Sequence, residues 1–220
     1  MDVIIFNLTT AALMVLMFRC GLALLGERPW EGRPVPWAAI AVTTVAVGAV
    51  VLQQVWSGAM DALDADPAKS GWWRVVTSVF MQNGGIGGTA WNLATLAVIA
   101  AFAQWYWKWP IATALFFAGI LLPSWIDALF GEERSTDPRN FAGSSGATYF
   151  LGSTLAAALL QHAANRNQRL LALAVPALGL AMWFGQDNGH GLVSAYGFVL
   201  GLAVLFVSRR LTDRVLVGSA

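Results

Sequence analysis

Long apolar stretches alternate with short polar connectors along the whole chain. Each stretch is close to the roughly 20 residues that an α-helix needs to cross the hydrocarbon core of a bilayer. The connectors between them contain most of the charged residues. The pattern predicts seven membrane-spanning helices, at residues 3–26, 37–56, 85–107, 109–130, 143–163, 170–185 and 189–207.

The composition excludes an ordinary soluble domain. Hydrophobic residues make up 57% of the chain and charged residues 11%, against roughly 25% charged residues in a typical soluble protein. A soluble fold of this size leaves too much of its surface in water to hide so many apolar side chains. The 13 basic and 12 acidic residues nearly cancel, so a nucleic-acid partner is not expected. We therefore predict an all-α polytopic membrane protein that resides in the lipid bilayer.

The distribution of basic residues predicts the orientation, because basic residues are enriched on the cytoplasmic side of membrane proteins. If seven helices alternate in direction, eight basic residues lie on the side of the C-terminus and four on the other. The eight are Arg28, Arg33, Lys108, Arg166, Arg169, Arg209, Arg210 and Arg214, and the four are Lys69, Arg74, Arg134 and Arg139. The C-terminal tail is therefore expected in the cytoplasm. No basic segment precedes the first stretch, which we expect to remain as an anchor.

A serine-containing motif opens the fifth stretch, directly after a polar connector. It reads Gly-Ser-Ser-Gly-Ala-Thr-Tyr over residues 143–149. A serine at a helix N-terminus lies beside free backbone N–H groups and the positive end of the helix dipole, which suits a reaction that develops an oxyanion. A structural interpretation stays open, because serine also caps helices and small residues let membrane helices pack closely.

Two histidines are present in the chain, His162 and His190. His190 opens the seventh stretch on the same side of the membrane as Ser145. His162 lies roughly 25 Å further along the serine-bearing helix, at 1.5 Å per residue. If Ser145 has a general base, that base is therefore His190. Since no second histidine or cysteine lies near His190, the sequence predicts no metal site, and no motif indicates a cofactor.

Two further polar groups lie on the same side as Ser145. Asn92 follows a glycine-rich segment, residues 83–92, and lies about two turns inside the third stretch. Its amide either stabilises an oxyanion or hydrogen-bonds another helix. Trp73 and Arg74 precede the third stretch, where such a pair is typical of the membrane interface.

Taken together, these motifs resemble those of the rhomboid intramembrane serine proteases. The resemblance covers residues 37–207, six of the seven stretches. The family's Gly-x-Ser-Gly motif places its nucleophile on Ser145, and its catalytic histidine falls on His190. A tyrosine one turn after the nucleophile packs on that histidine in the family. The matching residues are Gly143, Ser145, Gly146, Tyr149, His190, Trp73 and Arg74, with Asn92 at the position of an oxyanion-hole asparagine.

The resemblance implies a six-helix rhomboid-like core at residues 37–208. An extra transmembrane helix and its connector precede it at residues 1–36, and a cytoplasmic tail follows at residues 209–220. It also implies a Ser145/His190 dyad that hydrolyses peptide bonds within or near the transmembrane segments of single-span substrates. Such an enzyme is expected in the plasma membrane of a bacterial cell, with its active site toward the extracellular side.

The chain departs from the family at two positions. A histidine usually precedes the oxyanion-hole asparagine by four residues, and Gly88 stands there. Gln82 or Asn83 is a possible substitute donor. The glycine usually found three residues after the catalytic histidine is Val193, which leaves Gly197 and Gly201 for close packing against the serine helix.

Two other functions stay open at this stage. A catalytically silent rhomboid-like protein that binds membrane-protein clients would explain Gly88, although not the presence of both Ser145 and His190. A small transporter or channel would need a continuous polar path, whereas the cytoplasmic halves of the predicted helices are almost uniformly apolar. The sequence shows neither the tandem nor the inverted repeat that is typical of secondary transporters.

Overall fold

The computed structural model describes the backbone of residues 3–130 and 141–217, and the side chains of residues 3–126 and 141–210. This part of the chain contains no strand and folds into α1 (Val3–Leu25), α2 (Trp37–Val55), α3 (Ala59–Leu63), α4 (Arg74–Thr77), α5 (Gly85–Trp107), α6 (Trp109–Phe130), α7 (Ser145–His162), α8 (Arg166–Gln186) and α9 (Gly189–Val217). Arg134 and Arg139, which contributed to the predicted orientation, lie outside the described residues, as does the side chain of Arg214.

The long helices α1, α2 and α5 to α9 form one bundle in which successive helices run in opposite directions. The start of α2 meets the end of α5, where the N–H groups of Ala38 and Ala39 donate to Gln104 Oε1 at 2.9 and 3.1 Å. The end of α2 meets the start of α5, because Gln53 hydrogen-bonds the backbone of Gln82. We call the end of the bundle at which α7 and α9 begin the site end.

Six of the long helices are long and apolar enough to cross a membrane. The predicted class, an all-α polytopic membrane protein, is therefore confirmed. The long helix that does not meet this criterion is α7, which the sequence pattern predicted to be a membrane-spanning helix. Every residue of α7 from Ala147 to Leu159 is buried by the surrounding protein. A helix shielded from lipid does not need an apolar surface, which explains its glycine, serine and threonine content.

Close backbone contacts hold α9 against α7. A Cβ atom at Gly197 would overlap the carbonyl oxygen of Phe150, and one at Gly201 would lie 3.0 Å from the Cα atom of Thr154. The close packing predicted for these two glycines is thus confirmed. Since α7 begins with Ser145 and α9 with the segment of His190, this contact fixes the distance between those two residues.

The helix boundaries differ from the predicted stretches at three places. Helix α8 begins at Arg166 rather than residue 170, because the side chain of Asn165 caps it by accepting the Gln168 N–H at 3.0 Å. Helix α9 continues to Val217, through most of the predicted tail. The connector before α5 contains two short helices, α3 and α4, where the apolar pattern predicted only a loop.

A cluster of charged side chains orders that connector. Arg74 forms an ion pair with Asp64 at 3.1 Å and donates to the carbonyl oxygens of Asp61 and Asp64. Lys69 lies 2.8 Å from Asp61 and 3.0 Å from Asp64. The hydrogen bond to Asp61 raises the pKa of Lys69, and the same bond lowers the pKa of Asp61, so both groups stay charged across the neutral range. Arg74 is therefore a structural clamp rather than only an interfacial residue.

Helix α1 packs on the core instead of standing apart in the membrane. It contacts α5, α7 and α8, and its residues Leu13, Met17 and Cys20 are fully buried. The sulfur of Met17 lies against Gly152 of α7, where a Cβ atom would come within 2.8 Å of it. The first half of α1 lies at the site end of the bundle.

Candidate active site

The structure brings Ser145 and His190 into direct contact. Ser145 is the first residue of α7, and its Oγ atom lies 2.9 Å from Nε2 of His190 in the first turn of α9. The two residues are 45 positions apart in the chain. A serine hydroxyl within hydrogen-bond distance of an imidazole nitrogen is the geometry that a general base needs to accept the proton of a nucleophile.

Asn188 holds the other side of the imidazole. Its Oδ1 atom lies 3.0 Å from His190 Nδ1 and also accepts the backbone N–H of His190 at 3.1 Å. A backbone N–H can only donate, so the atom facing it must be the amide oxygen. Nδ1 therefore carries the proton in the neutral ring, which leaves the lone pair of Nε2 for the Ser145 hydroxyl. Ser145, His190 and Asn188 thus form a serine–histidine–asparagine triad in geometry.

Tyr149 fixes the face of the His190 ring. The two ring centroids are 4.8 Å apart at an interplanar angle of 61°, and Tyr149 is buried. Its hydroxyl donates to the carbonyl oxygen of Thr10 in α1 at 2.7 Å. Because Tyr149 lies one turn after Ser145 on α7, the same helix that carries the serine also supports the histidine ring.

Gly143 leaves a small open corner between Ser145 and Asn92. Its φ of +146° is a conformation that favours glycine. A Cβ atom there would lie 3.6 Å from Ser145 Oγ and 3.7 Å from Asn92 Nδ2. Any other residue would therefore fill the space beside the hydroxyl and the amide. The backbone N–H groups of Ser145 and Gly146, in the first turn of α7, have no carbonyl acceptor within that helix and lie at the same end of it.

Two glutamines hold Asn92 in place. Asn92 Nδ2 donates to Gln82 Oε1 at 2.9 Å, which uses one of its two N–H bonds and leaves the other for a second acceptor. Gln82 is buried, and Gln53 of α2 pairs with its backbone N–H and carbonyl, each at 2.9 Å. Gln82 also donates to Ser144 Oγ at 3.4 Å. Gln82 therefore orients Asn92, a role different from the substitute donor that the sequence suggested.

The connector before α5 braces the segment that leads into α7. The N–H of Gly143 donates to the carbonyl oxygen of Ser78 at 3.0 Å, and the N–H of Ala65 donates to that of Phe141 at 2.8 Å. Ala65 adjoins Asp64, which Arg74 holds. Through these contacts Arg74 helps to position the segment before Ser145, although it does not touch Ser145 itself.

Open space surrounds Gly88, where the resemblance led us to expect a histidine. A Cβ atom at Gly88 would meet no atom within 4 Å, and the preceding residues Asn83 to Gly87 are exposed. Gly88 lies one turn before Asn92 on α5, so a side chain at this position would extend on the same face of the helix as Asn92.

The sequence did not identify Asn188, Gln82 and Thr10 in the roles that the structure gives them. Asn188 was noted only for its place before the histidine, and the site was expected to be a dyad. The sequence indicated Asn188 only weakly, because its contact with His190 depends on the turn between α8 and α9. In that turn Asp187 adopts a left-handed conformation at φ 50°. Thr10 gave no signal at all. His162, as expected, lies at the opposite end of α7.

The comparisons with known proteins give no family for this chain. No protein-family model matches it, and no curated protein matches it either.

Proposed function

We propose that this protein is an intramembrane serine protease of the rhomboid type. The observation that carries the proposal is the 2.9 Å contact between Ser145 Oγ and a His190 ring that Asn188 holds in the tautomer of a general base. The resemblance of the motifs around Gly143, Ser145 and His190 supports it. The six apolar helices of the bundle to which α7 belongs would place this site among membrane-embedded segments.

The reaction would proceed through an acyl-enzyme. His190 Nε2 accepts the proton of Ser145, whose Oγ attacks the carbonyl carbon of a peptide bond. The second N–H of Asn92 and the backbone N–H of Ser145 stabilise the oxyanion of the tetrahedral intermediate. His190 returns its proton to the leaving amine as the C–N bond breaks. A water molecule, deprotonated by His190, then releases the new carboxylate and regenerates Ser145.

The proposed substrates are single-span membrane proteins. A peptide carbonyl inside a transmembrane helix is hydrogen-bonded within that helix, so the substrate must unwind locally before Ser145 can attack. The glycine-rich start of α5 and the small residues Gly143 and Gly146 leave room for an extended backbone. Substrates with helix-weakening residues beside small side chains fit this requirement.

The proposed location is the plasma membrane of a bacterial cell, with the C-terminus in the cytoplasm. The basic residues of the described connectors support this orientation. Arg28, Arg33, Lys108, Arg166 and Arg169 lie at helix ends opposite the site, whereas Lys69 and Arg74 lie at the site end. The active site would then open toward the extracellular side.

A fluorescent fluorophosphonate probe tests the proposal, because such probes phosphonylate an activated serine. We expect the detergent-purified protein to be labelled, and Ser145→Ala and His190→Ala to abolish labelling. Ser153→Ala is the matched control: Ser153 is buried on the same helix, and its hydroxyl has no partner in the described part of the chain. It lies about 12 Å from Ser145 along α7, so its replacement should leave labelling unchanged.

A co-expressed single-span protein provides the second readout. Fragments that appear with the wild type and disappear with Ser145→Ala would support proteolysis. Folded wild-type protein that neither reacts with the probe nor changes the fragment pattern would contradict it. That result would favour the alternative, a catalytically silent rhomboid-like protein that binds membrane-protein clients, for which the empty position at Gly88 is the supporting observation.

Introducing a histidine at position 88 should raise activity. The open space at Gly88 accommodates the side chain, and a ring on the Asn92 face of α5 would supply a further oxyanion donor. We expect Gly88→His to increase the labelling rate by about tenfold, less than the 10²–10³ that an optimised oxyanion-hole donor contributes.

Gly87→His is the matched control for this variant. Gly87 has equally open surroundings but lies about 100° around the helix from Gly88. Equal labelling rates of the two histidine variants would contradict the oxyanion role assigned to this face of α5.

A further inference from the structure

Helix α1 reaches the catalytic groups through one residue, Thr10. The hydroxyl oxygen of Thr10 accepts a hydrogen bond from Asn188 Nδ2 at 3.0 Å. Its carbonyl oxygen accepts the hydroxyl of Tyr149 at 2.7 Å. Thr10 therefore contacts both residues that hold the His190 ring, one at each of its two oxygen atoms.

These contacts complete a chain of hydrogen bonds from α1 to the serine. It runs from Thr10 through the amide of Asn188 to the imidazole of His190, and from there to Ser145 Oγ. Asn188 is 1% exposed, so water cannot easily replace a lost partner of its amide nitrogen. The backbone N–H of His190 faces the amide oxygen, and the Thr10 hydroxyl gives the amide nitrogen a buried acceptor. Thr10 therefore stabilises the amide orientation that holds the proton on Nδ1.

The neighbouring residue, Thr9, makes a contact of the same kind with a different destination. Its hydroxyl oxygen lies 2.9 Å from Gln186 Oε1, near the end of α8, and 3.0 and 3.1 Å from the carbonyl oxygens of Ile5 and Phe6 in α1. Gln186 does not belong to the chain that ends at Ser145. Thr9 therefore attaches α1 to α8, whereas Thr10 connects α1 to the residues that hold His190.

We propose that Thr10 is a positioning residue of the site, acting through Asn188 to set the tautomer and orientation of His190. Helix α1 is then a component of the active site and not only a membrane tether. The catalytic significance of this role rests on the proposed protease function, whereas the tautomer itself can be measured without any reaction.

Nitrogen-15 NMR of histidine-labelled protein tests the tautomer. The chain contains only two histidines, and a His162→Asn variant assigns the signals. Spectra recorded at about pH 8, where an ordinary imidazole is neutral, should show a protonated Nδ1 and an unprotonated Nε2 for His190. We expect Thr10→Val, which keeps the shape of the side chain, to reduce this preference, and Thr10→Ser to retain it. Thr9→Val should match the wild type.

The rate of fluorophosphonate labelling gives the functional readout. We expect Thr10→Val to label about tenfold more slowly, the rate equivalent of one hydrogen bond. Thr10→Ser should recover most of the rate, and Thr9→Val should lie within about twofold of the wild type, as expected for a residue outside the site. Rescue by serine distinguishes positioning from a general loss of packing.

Two results would overturn the inference. One is a Thr10→Val protein with the wild-type tautomer and labelling rate, and the other is an equal loss in Thr9→Val and Thr10→Val. If Thr10→Val does not fold, Asn188→Ala removes the same link from the other side, and an unchanged His190 tautomer there would also overturn it. A tautomer that responds to Thr10 in a protein that no probe labels would support the positioning role and contradict the protease function instead.

Discussion

Replacing Gly197 with alanine is expected to lower the rate of probe labelling by about 10²-fold, because it forces α9 away from α7. The added methyl group would overlap the carbonyl oxygen of Phe150, a backbone atom that cannot move unless the helix moves. Ser145 and His190 lie on these two helices at a separation of 2.9 Å. A shift of about 1 Å would break their hydrogen bond, and misplacement of that size costs about 10²-fold in rate.

The measurement is the labelling rate of Gly197→Ala together with its thermal unfolding in detergent. Gly185→Ala is the matched control, because a Cβ atom at Gly185 of α8 would meet nothing within 4 Å. This control should label at the wild-type rate. The labelling rate of Gly201→Ala should lie between those of Gly197→Ala and Gly185→Ala, because its Cβ atom would lie 2.9 Å from the Cβ atom of Ala157. Wild-type labelling of Gly197→Ala would show that the close approach of α7 and α9 does not set the geometry of the site.

Replacing Asn92 with alanine is expected to lower the labelling rate by about 10²–10³, the usual effect of losing one oxyanion-hole donor. In the proposed mechanism, the phosphonyl oxygen of the probe would occupy the same corner as the oxyanion of the tetrahedral intermediate. Asn92 Nδ2 lies at this corner beside Gly143 and is held there by Gln82. Position 88, one turn before Asn92 on α5, holds a glycine, which has no side chain to compensate for the loss.

Thr95→Val serves as the control for Asn92→Ala. Thr95 lies on the same helix, and its hydroxyl hydrogen-bonds the carbonyl oxygens of Trp91 and Asn92 within α5. The probe should label Thr95→Val at nearly the wild-type rate. Asn92→Asp should be slower than Asn92→Ala, because a carboxylate would repel the developing negative charge. If Asn92→Ala retains the wild-type rate, the backbone N–H groups of α7 suffice for the oxyanion and the role of Asn92 is structural.

The fold could be predicted from the sequence to the level of helices and their directions. Apolar length alone is sufficient to identify a helix that faces lipid, as α2 illustrates. The same criterion describes α7 poorly, because Ala147 to Leu159 face protein and many of them are small or hydroxyl-bearing. The connector from Ser57 to Trp73 was beyond prediction, since its order depends on ion pairs of Arg74 and Lys69 with residues up to 10 positions away.

The candidate site was predictable only in part, and for a geometric reason. Ser145 and His190 carry functional groups that few membrane helices contain, so their residue types alone drew attention to them. Asn188, Gln82 and Thr10 are ordinary polar residues whose roles depend on what lies opposite. The hydrogen bond between Asn188 and Thr10 joins positions 178 residues apart in the chain, and no local pattern encodes such a distance.

The sequence by itself determined that the chain forms a bundle of helices in a membrane and that Ser145, His190 and Asn92 lie at one end of it. These properties follow from the length of each apolar stretch and from the alternation of helix direction, and both can be read from the order of residues along the chain. Only the tertiary structure decided which atoms meet. The rotation of each helix and the close approach at Gly197 bring Nε2 of His190 to Ser145, Asn188 to Nδ1 of His190, and α1 to Asn188. A hydrogen bond needs its donor and acceptor to lie about 3 Å apart, and a pattern along the chain does not determine distances of that size.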